Sequence, residues 1–329
     1  MVKVNDQEIG AVGYGLMGFT WRPDPTPFEV AFPAMRKSLE LGANAWNGGE
    51  FYGTPDNNSM HLLNAYFTKY PEDAEKVQLC IKGASVYGRM QPDGSPQNVR
   101  RSIDECLKLL DGKKKIDLFE CARVDHNTPY EQSLNTIAEY VKAGKVGGIS
   151  LSEVSAATIR KAAKLHKIAA VEVEFSLMAT DIMENGIAEA CHEHNIPIFA
   201  YSPLCRGFLT SGWKKPEDVR PERLRIFPRF TGDAFYQNVK LRDEVERIAH
   251  DKAATIPQVA LGWILAVSGK NGLPVIIPIP GATTAERVEE NMKPAQLTDG
   301  DIKAINAILS KVTVAGTRYP EFGMSHTNG

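Results

Sequence analysis

The fold of this chain is decided by residues 42–53, which read GANAWNGGEFYG. Gly42 is a typical helix stop, and the segment before it has the spacing of an amphipathic helix. Residues 44–47 form a short run that predicts a strand, and the Gly-rich loop after it carries Tyr52. These features predict a unit in which a helix leads into a strand and the strand ends in a loop with polar side chains.

The same kind of unit recurs along the chain, because eight short apolar runs alternate with helical patterns. The runs are nearly continuous in apolar residues, which is typical of parallel strands that are buried on both faces. We therefore expect a (β/α)8 TIM barrel that extends over all 329 residues as a single domain. The predicted strands are residues 11–14, 44–47, 77–82, 117–122, 147–151, 170–174, 198–201 and 275–277.

Local signals mark several helices and two irregular segments. Ser155 is in a position to cap one helix, and Pro96 and Pro129 are in positions to begin two others. The helical pattern breaks over residues 204–239, which predicts a long loop after the seventh strand. Residues 313–329 lack an apolar period, which predicts an extended tail.

The composition excludes several classes of partner. The net charge is −2, so neither nucleic acid nor an anionic membrane surface is expected to bind. No stretch approaches the roughly 20 apolar residues of a membrane span, and the first residues lack the apolar core of a signal peptide. The five cysteines include no C-x-x-C pair and are interpreted as reduced thiols, so we expect a cytoplasmic protein.

Tyr52 and Lys82 carry the first chemical signal. Lys82 ends the strand predicted at residues 77–82, which follows the strand that leads to Tyr52, so the two side chains can meet at the mouth of a barrel. A tyrosine hydroxyl has a pKa of about 10, and a nearby ammonium group favours the phenolate and lowers that pKa. Such a pair can donate a proton to a carbonyl oxygen, as the reduction of a carbonyl group requires.

The stretch around Tyr52 resembles the aldo-keto reductase family, whose corresponding segment reads Asp-Thr-Ala-x-x-Tyr-Gly. Tyr52 and Lys82 fall on the catalytic Tyr and Lys of that family. Two positions differ from the family pattern, because Asn47 replaces an Asp and Ala122 replaces a His at the end of the fourth strand. In this resemblance Asn47 is a third catalytic residue, which can hold the Lys82 ammonium through its carbonyl oxygen.

A second part of the resemblance lies in residues 277–291, IPIPGATTAERVEEN, which combine a strand, a Gly turn and a capped helix. Such junctions bind phosphate groups, although an ordinary capped helix with a surface arginine has the same pattern. The resemblance favours an NADPH site in which Arg287 binds the 2′-phosphate of the cofactor. The predicted phosphate and adenine contacts are Gly281, Thr283, Arg287, Glu290 and Asn291.

The resemblance also implies that the nicotinamide lies at the ends of the fifth, sixth and seventh strands. Tyr201 is expected to stack on its ring, although a core tyrosine at a strand end has the same sequence context. Carboxylates fall where the family binds the carboxamide, and an ionised carboxylate can only accept hydrogen bonds. We expect the loop over residues 204–239 to fold over the cofactor. The predicted contacts at this end are Ser152, Glu153, Glu172, Tyr201, Ser202, Leu204 and Arg206.

Two further motifs lack the context that their usual sites require. Residues 13–18, GYGLMG, match G-x-G-x-x-G, but three prolines follow where a Rossmann helix has to begin. We interpret this segment as a tight loop at the barrel mouth, with Phe19 and Trp21 lining a pocket. Residues 191–194, CHEH, contain metal-binding residue types, but the two histidines do not share a helix face. We therefore expect no metal site.

Residues 20–23 (TWRP), 49–53 (GEFYG) and 151–155 (LSEVS) resemble one branch of the family, the fungal pyridoxal reductases, which reduce pyridoxal to pyridoxine with NADPH. The branch shares the lack of a histidine at the position of Ala122. We therefore expect an NADPH-dependent reductase of a small-molecule aldehyde, with pyridoxal as the favoured substrate. A broad reductase of aldehydes or quinones and an NADPH-binding regulatory subunit with little turnover are the alternatives. The predicted substrate pocket consists of Phe19, Trp21, Ala122 and Arg123.

Overall fold

The fold is a barrel of eight parallel strands that hydrogen-bond to one another in chain order. The computed structural model describes residues 2–86, 89, 91–210, 212–220 and 222–327, with residues 222 and 223 described in their backbone alone. A parallel bridge between Gly15 and Gly281 joins the first strand to the segment after the eighth. The barrel strands are β1 Tyr14–Gly15, β2 Ala45–Gly49, β3 Gln78–Gly83, β4 Ile116–Cys121, β5 Val146–Ser152, β6 Ile168–Glu174, β7 Ile198–Tyr201 and β8 Ile276–Pro278.

Helices connect the strands and cover the outside of the barrel. On the fourth helix, Val99, Ile103 and Cys106 are fully buried at helical spacing and form the apolar face that packs on the barrel. Ser95 caps the same helix by accepting a hydrogen bond from the Asn98 amide. The helices are α1 Met17–Thr20, α2 Phe28–Glu40, α3 Ser59–Lys69, α4 Pro96–Leu110, α5 Tyr130–Lys142, α6 Ala156–Leu165, α7 Ile187–Glu193, α8 Gly232–Asp251, α9 Ile256–Val267, α10 Ala285–Asn291, α11 Asp299–Lys311 and α12 Glu321–Met324.

An N-terminal hairpin fills the lower end of the barrel, where the strands begin. Its antiparallel strands, Val2–Val4 and Gln7–Ile9, bring two fully buried side chains, Val4 and Ile9, into one apolar cluster with residues of the barrel interior. The barrel residues of this cluster are Ala45, Cys80, Leu118, Ala169, Ala170, Phe199, Ile277 and Ile279. Apolar side chains therefore fill most of this end, together with the buried Gln78, whose side-chain amide donates to the Val4 carbonyl at 2.6 Å.

The TIM-barrel prediction is confirmed, and all eight predicted strands lie within a few residues of the observed ones. The long loop after the seventh strand is also present, but α8 begins at Gly232, before the predicted end of the loop. The buried face of α8 carries Asn238, whose side-chain amide donates to the carbonyls of Arg229 and Ala315. A polar residue at a buried helix position interrupts the apolar period, so the start of this helix is hidden in the sequence.

The C-terminal segment is extended as far as Pro320 and then forms α12. It lies against the loop before α8, because the Ala315 amide donates to Asn238 Oδ1 at 2.8 Å. Gly316 packs so closely that a Cβ there would lie 2.6 Å from the carbonyl carbon of Pro228. The tail is therefore a packed part of the structure. No helix in the described part of the chain combines the length and the apolar character needed to cross a membrane.

Candidate active site

Polar side chains from five neighbouring strands meet inside the barrel in what we call the polar layer: Asn47 of β2, Lys82 of β3, Glu120 of β4, Ser150 of β5 and Glu172 of β6. All five are buried. Lys82 pairs in register with Gly49 on one side and with Glu120 on the other. Because neighbouring strands are in register, their inward-pointing side chains lie at one level of the barrel.

The Lys82 ammonium is held by carboxylates. It forms a very close ion pair with Glu172, and its Nζ lies 3.4 Å from an oxygen of Glu120. The Asn47 side-chain amide donates to the other Glu172 oxygen at 2.6 Å. Asn47 therefore orients the Glu172 carboxylate. The sequence predicts a hydrogen bond from the Lys82 ammonium to the side-chain carbonyl oxygen of Asn47, and this bond is not found among the described contacts. Glu172, expected on the cofactor, is the partner of Lys82.

The charges of the polar layer shift the pKa values of its members. Burial alone would lower the pKa of Lys82, but the negative charges of Glu172 and Glu120 outweigh it and raise that pKa well above its usual value. Burial and the neighbouring Glu172 raise the pKa of Glu120 well above its usual value. The layer thus places one ammonium group between two carboxyl groups, and the raised pKa of Glu120 favours its neutral acid form.

Tyr52 lies in the loop after β2, and two glycines allow its position. A Cβ at Gly49 would lie 3.0 Å from the Tyr52 ring, and Gly53 has a φ of 131°, which favours glycine. The Tyr52 ring stacks on Trp21 with the ring centres 5.3 Å apart. Its hydroxyl forms no hydrogen bond within the described residues, so it is available as a donor.

The pKa of Tyr52 is raised to about 12 in the structure. Burial raises it most, Lys82 lowers it, and Glu172 raises it again. The sequence predicts the direction of the Lys82 effect, but burial outweighs that effect, so the expected net lowering is not seen. Tyr52 is consequently protonated at neutral pH, which is the state a proton donor needs.

Glu50, three residues after Asn47, anchors the loop that carries Tyr52. Its buried carboxylate accepts hydrogen bonds from Arg101 and Ser102 of α4, and its amide donates to the Lys82 carbonyl at 2.9 Å. Glu50, the acidic residue of the GANAWNGGEFYG stretch, thus holds the loop in place. The acidic residues of the polar layer are Glu120 and Glu172.

A second group of charged and aromatic residues lies at the mouth, and we call it the mouth network: Glu153, Glu174, Tyr201, Arg206, Arg318 and Tyr319. Glu153 is fully buried, and its carboxylate accepts hydrogen bonds from Arg318 at 2.9 and 3.1 Å and from the Tyr201 hydroxyl at 2.8 Å. Burial would raise the pKa of Glu153, but Arg318 and Arg123 outweigh it and lower that pKa to about 2.

The rest of the mouth network ties the loop after β7 and the tail together. Arg206 donates to both oxygens of Glu174 at 2.9 and 3.0 Å, and its guanidinium lies 4.6 Å from the centre of the Tyr319 ring. The hydroxyls of Tyr319 and Tyr201 are 2.8 Å apart. Tyr201 and Arg206, predicted to contact the cofactor, are thus joined to the tail in this structure, and their predicted roles stay predictions.

The remaining predicted cofactor residues surround the ends of β5, β7 and β8. The Ser152 hydroxyl is buried without a hydrogen-bond partner among the described residues. Arg287, on the first turn of α10, is exposed, and its guanidinium forms no hydrogen bond or ion pair with a described residue. Ser202, Leu204, Gly281, Thr283, Glu290 and Asn291 lie in or beside the loops after β7 and β8, with Leu204 and Asn291 buried and Gly281 exposed.

The predicted pocket residues are placed unequally. Trp21 is half-buried against Tyr52, whereas Phe19 is 1% exposed and packs edge-on against Tyr14 in the core. Ala122 is buried directly after β4. The Arg123 guanidinium donates to the Ala122 carbonyl at 2.6 Å and to the Tyr319 hydroxyl at 3.2 Å. Trp21, Ala122 and Arg123 therefore lie beside the Tyr52 loop and the tail.

The sequence did not identify five members of the polar layer and the mouth network, which are Glu120, Ser150, Glu174, Arg318 and Tyr319. Glu120 had a signal, because it is an acidic residue that follows two apolar residues, Leu118 and Phe119, in the strand next to that of Lys82. Arg318 and Tyr319 had none, because the tail has no period that predicts what it contacts. An arginine or a tyrosine in a tail without an apolar period indicates a functional site only when its contacts are known.

Comparison with known proteins gives consistent results. A model of the aldo/keto reductase family matches residues 11–310. A probable pyridoxal reductase 2 of Schizosaccharomyces pombe is 40% identical over 97% of this chain and 97% of its own length. A putative pyridoxal reductase of Saccharomyces cerevisiae is 36% identical over 93% of this chain and 95% of its own.

Two other matches concern the cofactor and the fold. An S. pombe protein named as an NADP(+) aldo-keto reductase is 33% identical, over 97% of this chain and 94% of its own length. The structure of a glycerol dehydrogenase from Gluconobacter oxydans superposes with a TM-score of 0.81 at 20% identity and covers 95% of both chains. The latter similarity supports the barrel fold.

Proposed function

This chain belongs to the aldo/keto reductase family, and on that premise we propose that it is an NADPH-dependent aldehyde reductase that converts pyridoxal to pyridoxine. The observation that carries the proposal is that a buried layer keeps Lys82 protonated within electrostatic reach of the Tyr52 hydroxyl. Oxidoreductase chemistry of the family needs such a donor, since the carbonyl oxygen must receive a proton.

The chain's own residues supply the proton and stabilise the charge. Bound NADPH would supply the hydride that adds to the aldehyde carbon. Tyr52 donates its hydroxyl proton to the carbonyl oxygen as negative charge develops there, so the product is an alcohol. The Lys82 ammonium stabilises the phenolate that remains on Tyr52. The buried position of both groups strengthens this interaction, because little water screens it.

Two features of the described residues fit NADPH. The partnerless hydroxyl of Ser152 at the end of β5 suits a carboxamide, which both donates and accepts hydrogen bonds. The exposed Arg287 guanidinium suits a 2′-phosphate, which it can bind through two parallel hydrogen bonds. Glu153 is already bound by Arg318, so we assign the carboxamide contact to Ser152 in preference to Glu153.

The small side chain at the end of β4 supports a substituted aromatic substrate. Ala122 leaves space where the family has an imidazole, and Trp21 and Tyr52 present stacked rings at the mouth. Arg123 lies next to that space and carries a positive charge that can attract a phenolic oxygen such as that of pyridoxal. The names of the two pyridoxal reductase relatives support the same substrate.

A substrate panel tests the proposal. NADPH oxidation by the purified protein is measured with pyridoxal, nitrobenzaldehyde and quinones, and the series is repeated with NADH. We expect the highest kcat/KM for pyridoxal with NADPH. A higher value for quinones would replace the proposal by a broad reductase, and NADPH binding without turnover of any compound would favour a regulatory subunit.

A further inference from the structure

The polar layer contains a charge arrangement that the family pattern does not predict. The family's segment has a carboxylate where this chain has Asn47, an uncharged side chain. A buried ammonium without a counter-charge loses its proton, because burial disfavours the charged form. Lys82 is 3% exposed, so a carboxylate from elsewhere has to keep it charged.

The contacts identify that carboxylate. One oxygen of Glu172 is paired with the Lys82 ammonium, and the other accepts the Asn47 amide at 2.6 Å. Asn47 and Glu172 are both buried, and β2 and β6 present them to each other across the barrel. Asn47 therefore fixes the direction in which the carboxylate points, and an Asp at position 47 would instead place a second anion against it.

We propose that Glu172 is the positioning residue that keeps Lys82 charged and directed toward Tyr52, and that Asn47 holds Glu172 in place for this task. In this chain the carboxylate that pairs with Lys82 lies on β6, as Glu172, and the position on β2 where the family has a carboxylate carries the neutral amide of Asn47. The inference rests on the proposed function, since it assigns a role within the same proton transfer.

Glu120 provides a matched comparison within the same layer. It is fully buried and 3.4 Å from the Lys82 ammonium, but one of its oxygens has no hydrogen-bond partner in the described structure. The other oxygen accepts from Ser150. Burial and the neighbouring Glu172 raise the pKa of the Glu120 carboxyl, which favours its neutral acid form, and glutamine has the same shape and charge as that acid. Cys80 Sγ and the two carboxyl groups lie within 4.8 Å of one another, and we take the ammonium to be the cation that this group holds.

The first test compares Glu172→Gln with Glu120→Gln. Loss of a charged hydrogen bond predicts a fall in kcat/KM for pyridoxal of about 10- to 100-fold in Glu172→Gln, and loss of a neutral one predicts less than about 10-fold in Glu120→Gln. The alkaline limb of the pH profile should move to lower pH in Glu172→Gln alone, because Lys82 then loses its proton more easily. Equal losses and unmoved limbs in both variants would overturn the proposal.

A second measurement does not depend on turnover. In Glu172→Gln the folded-state pKa of Lys82 falls below its unfolded value, so the unfolded chain binds more protons and stability rises with pH. Denaturation midpoints between about pH 7 and 10 should therefore rise for Glu172→Gln and not for the wild type or Glu120→Gln. Parallel slopes for all three proteins would contradict the inference even if no aldehyde were reduced. Inactivity of the wild type, by contrast, would count against the proposed function only.

The double variant Asn47→Asp, Glu172→Gln exchanges the two groups without changing their shapes. The hydrogen bond between them is kept with donor and acceptor reversed, and the carboxylate returns to β2. We expect it to recover most of the activity and the wild-type alkaline limb, whereas Asn47→Asp alone loses activity through repulsion between two carboxylates. A double variant no better than Glu172→Gln would overturn the proposed exchange. Recovery of activity in the double variant would also support the exchange if the single variant Glu172→Gln folds poorly.

Discussion

The polar layer and the mouth network both bury acidic and basic side chains, but they are assembled in different ways. Every member of the polar layer lies on a barrel strand, whereas the mouth network joins strand ends to the tail, with Glu153 and Arg318 separated by 165 positions. Strand register brings the first group together, and tail packing brings the second together. The layer therefore follows from the barrel itself, while the network depends on the last residues of the chain.

The two groups also differ in what their charges can do. The layer holds the Lys82 ammonium between two carboxyl groups and near Tyr52, which we propose as the proton donor. In the mouth network, Glu153 forms an ion pair with Arg318 and Glu174 forms one with Arg206. These charges are therefore engaged in holding the tail and the loop after β7. We expect changes in the layer to alter the rate of reaction, and changes in the network to alter stability.

Tyr52→Phe should have the largest effect on the rate of reaction and therefore tests the difference between the two groups most strongly. The substitution removes the proton donor and keeps the ring that stacks on Trp21, so turnover should fall by about 10²- to 10⁴-fold. NADPH affinity and the denaturation midpoint should change little. The measurements are kcat with pyridoxal, NADPH titration and denaturant unfolding. A large loss of stability with near-normal turnover would place Tyr52 among structural residues.

Arg318→Ala should have the opposite effect. Glu153 has a pKa of about 2 when folded against a usual value of 4.5, so its ionisation contributes stability that is present above about pH 4.5 and lost as the pH falls toward 2. The shift corresponds to about 3 kcal/mol of unfolding free energy, and much of it depends on Arg318. The free-energy difference between wild type and variant should therefore be large at pH 7 and shrink below about pH 4.

The control for this stability measurement is Arg287→Ala, because that side chain is exposed and its guanidinium forms no hydrogen bond or ion pair with a described residue. Its unfolding free energy should stay within about 0.5 kcal/mol of the wild type. If Arg318→Ala is equally neutral at pH 7, then the tail is not held by Glu153.

Arg287→Ala has its own predicted effect on the cofactor. A charge-assisted hydrogen bond is worth roughly 1.5–3 kcal/mol, so the variant should bind NADPH about 10- to 100-fold more weakly. NADH, which lacks the 2′-phosphate, should bind almost as before. Titration of both cofactors checks this, and similar losses for the two would remove Arg287 from the phosphate site.

Ala122→His tests the region next to both groups, because Ala122 follows the strand of Glu120 and its carbonyl accepts a hydrogen bond from Arg123, which also donates to Tyr319. An imidazole there can donate a hydrogen bond to a carbonyl oxygen, which should help a small aliphatic aldehyde. It also fills the space proposed for the pyridoxal ring, and overpacking costs about 1–3 kcal/mol. The ratio of kcat/KM for the small aldehyde to that for pyridoxal should rise. An unchanged or falling ratio would show that the ring does not bind beside Ala122.

The strand pattern predicted most of the barrel, because buried parallel strands have continuous apolar runs and their ends share one side of the barrel. Because the strand ends share one side of the barrel, the strand pattern also predicted that Tyr52 and Lys82 lie close together. The partner of Lys82 was misjudged, because an inward-pointing Glu172 can contact any of several neighbours, and its choice depends on side-chain geometry across the barrel. The start of α8 was hidden by Asn238, a buried polar residue whose partners lie in the loop and the tail.

Val4 and Ile9 close the lower end of the barrel together with Phe199 and Ile277, so in the described structure solvent approaches Lys82 from the mouth. In the proposed reaction, the aldehyde and the protons therefore reach Tyr52 through the same opening of the barrel. A substrate bound in that opening would separate Tyr52 from bulk water. We therefore expect Tyr52 to receive its proton before the aldehyde binds, and to be protonated again after the alcohol has left.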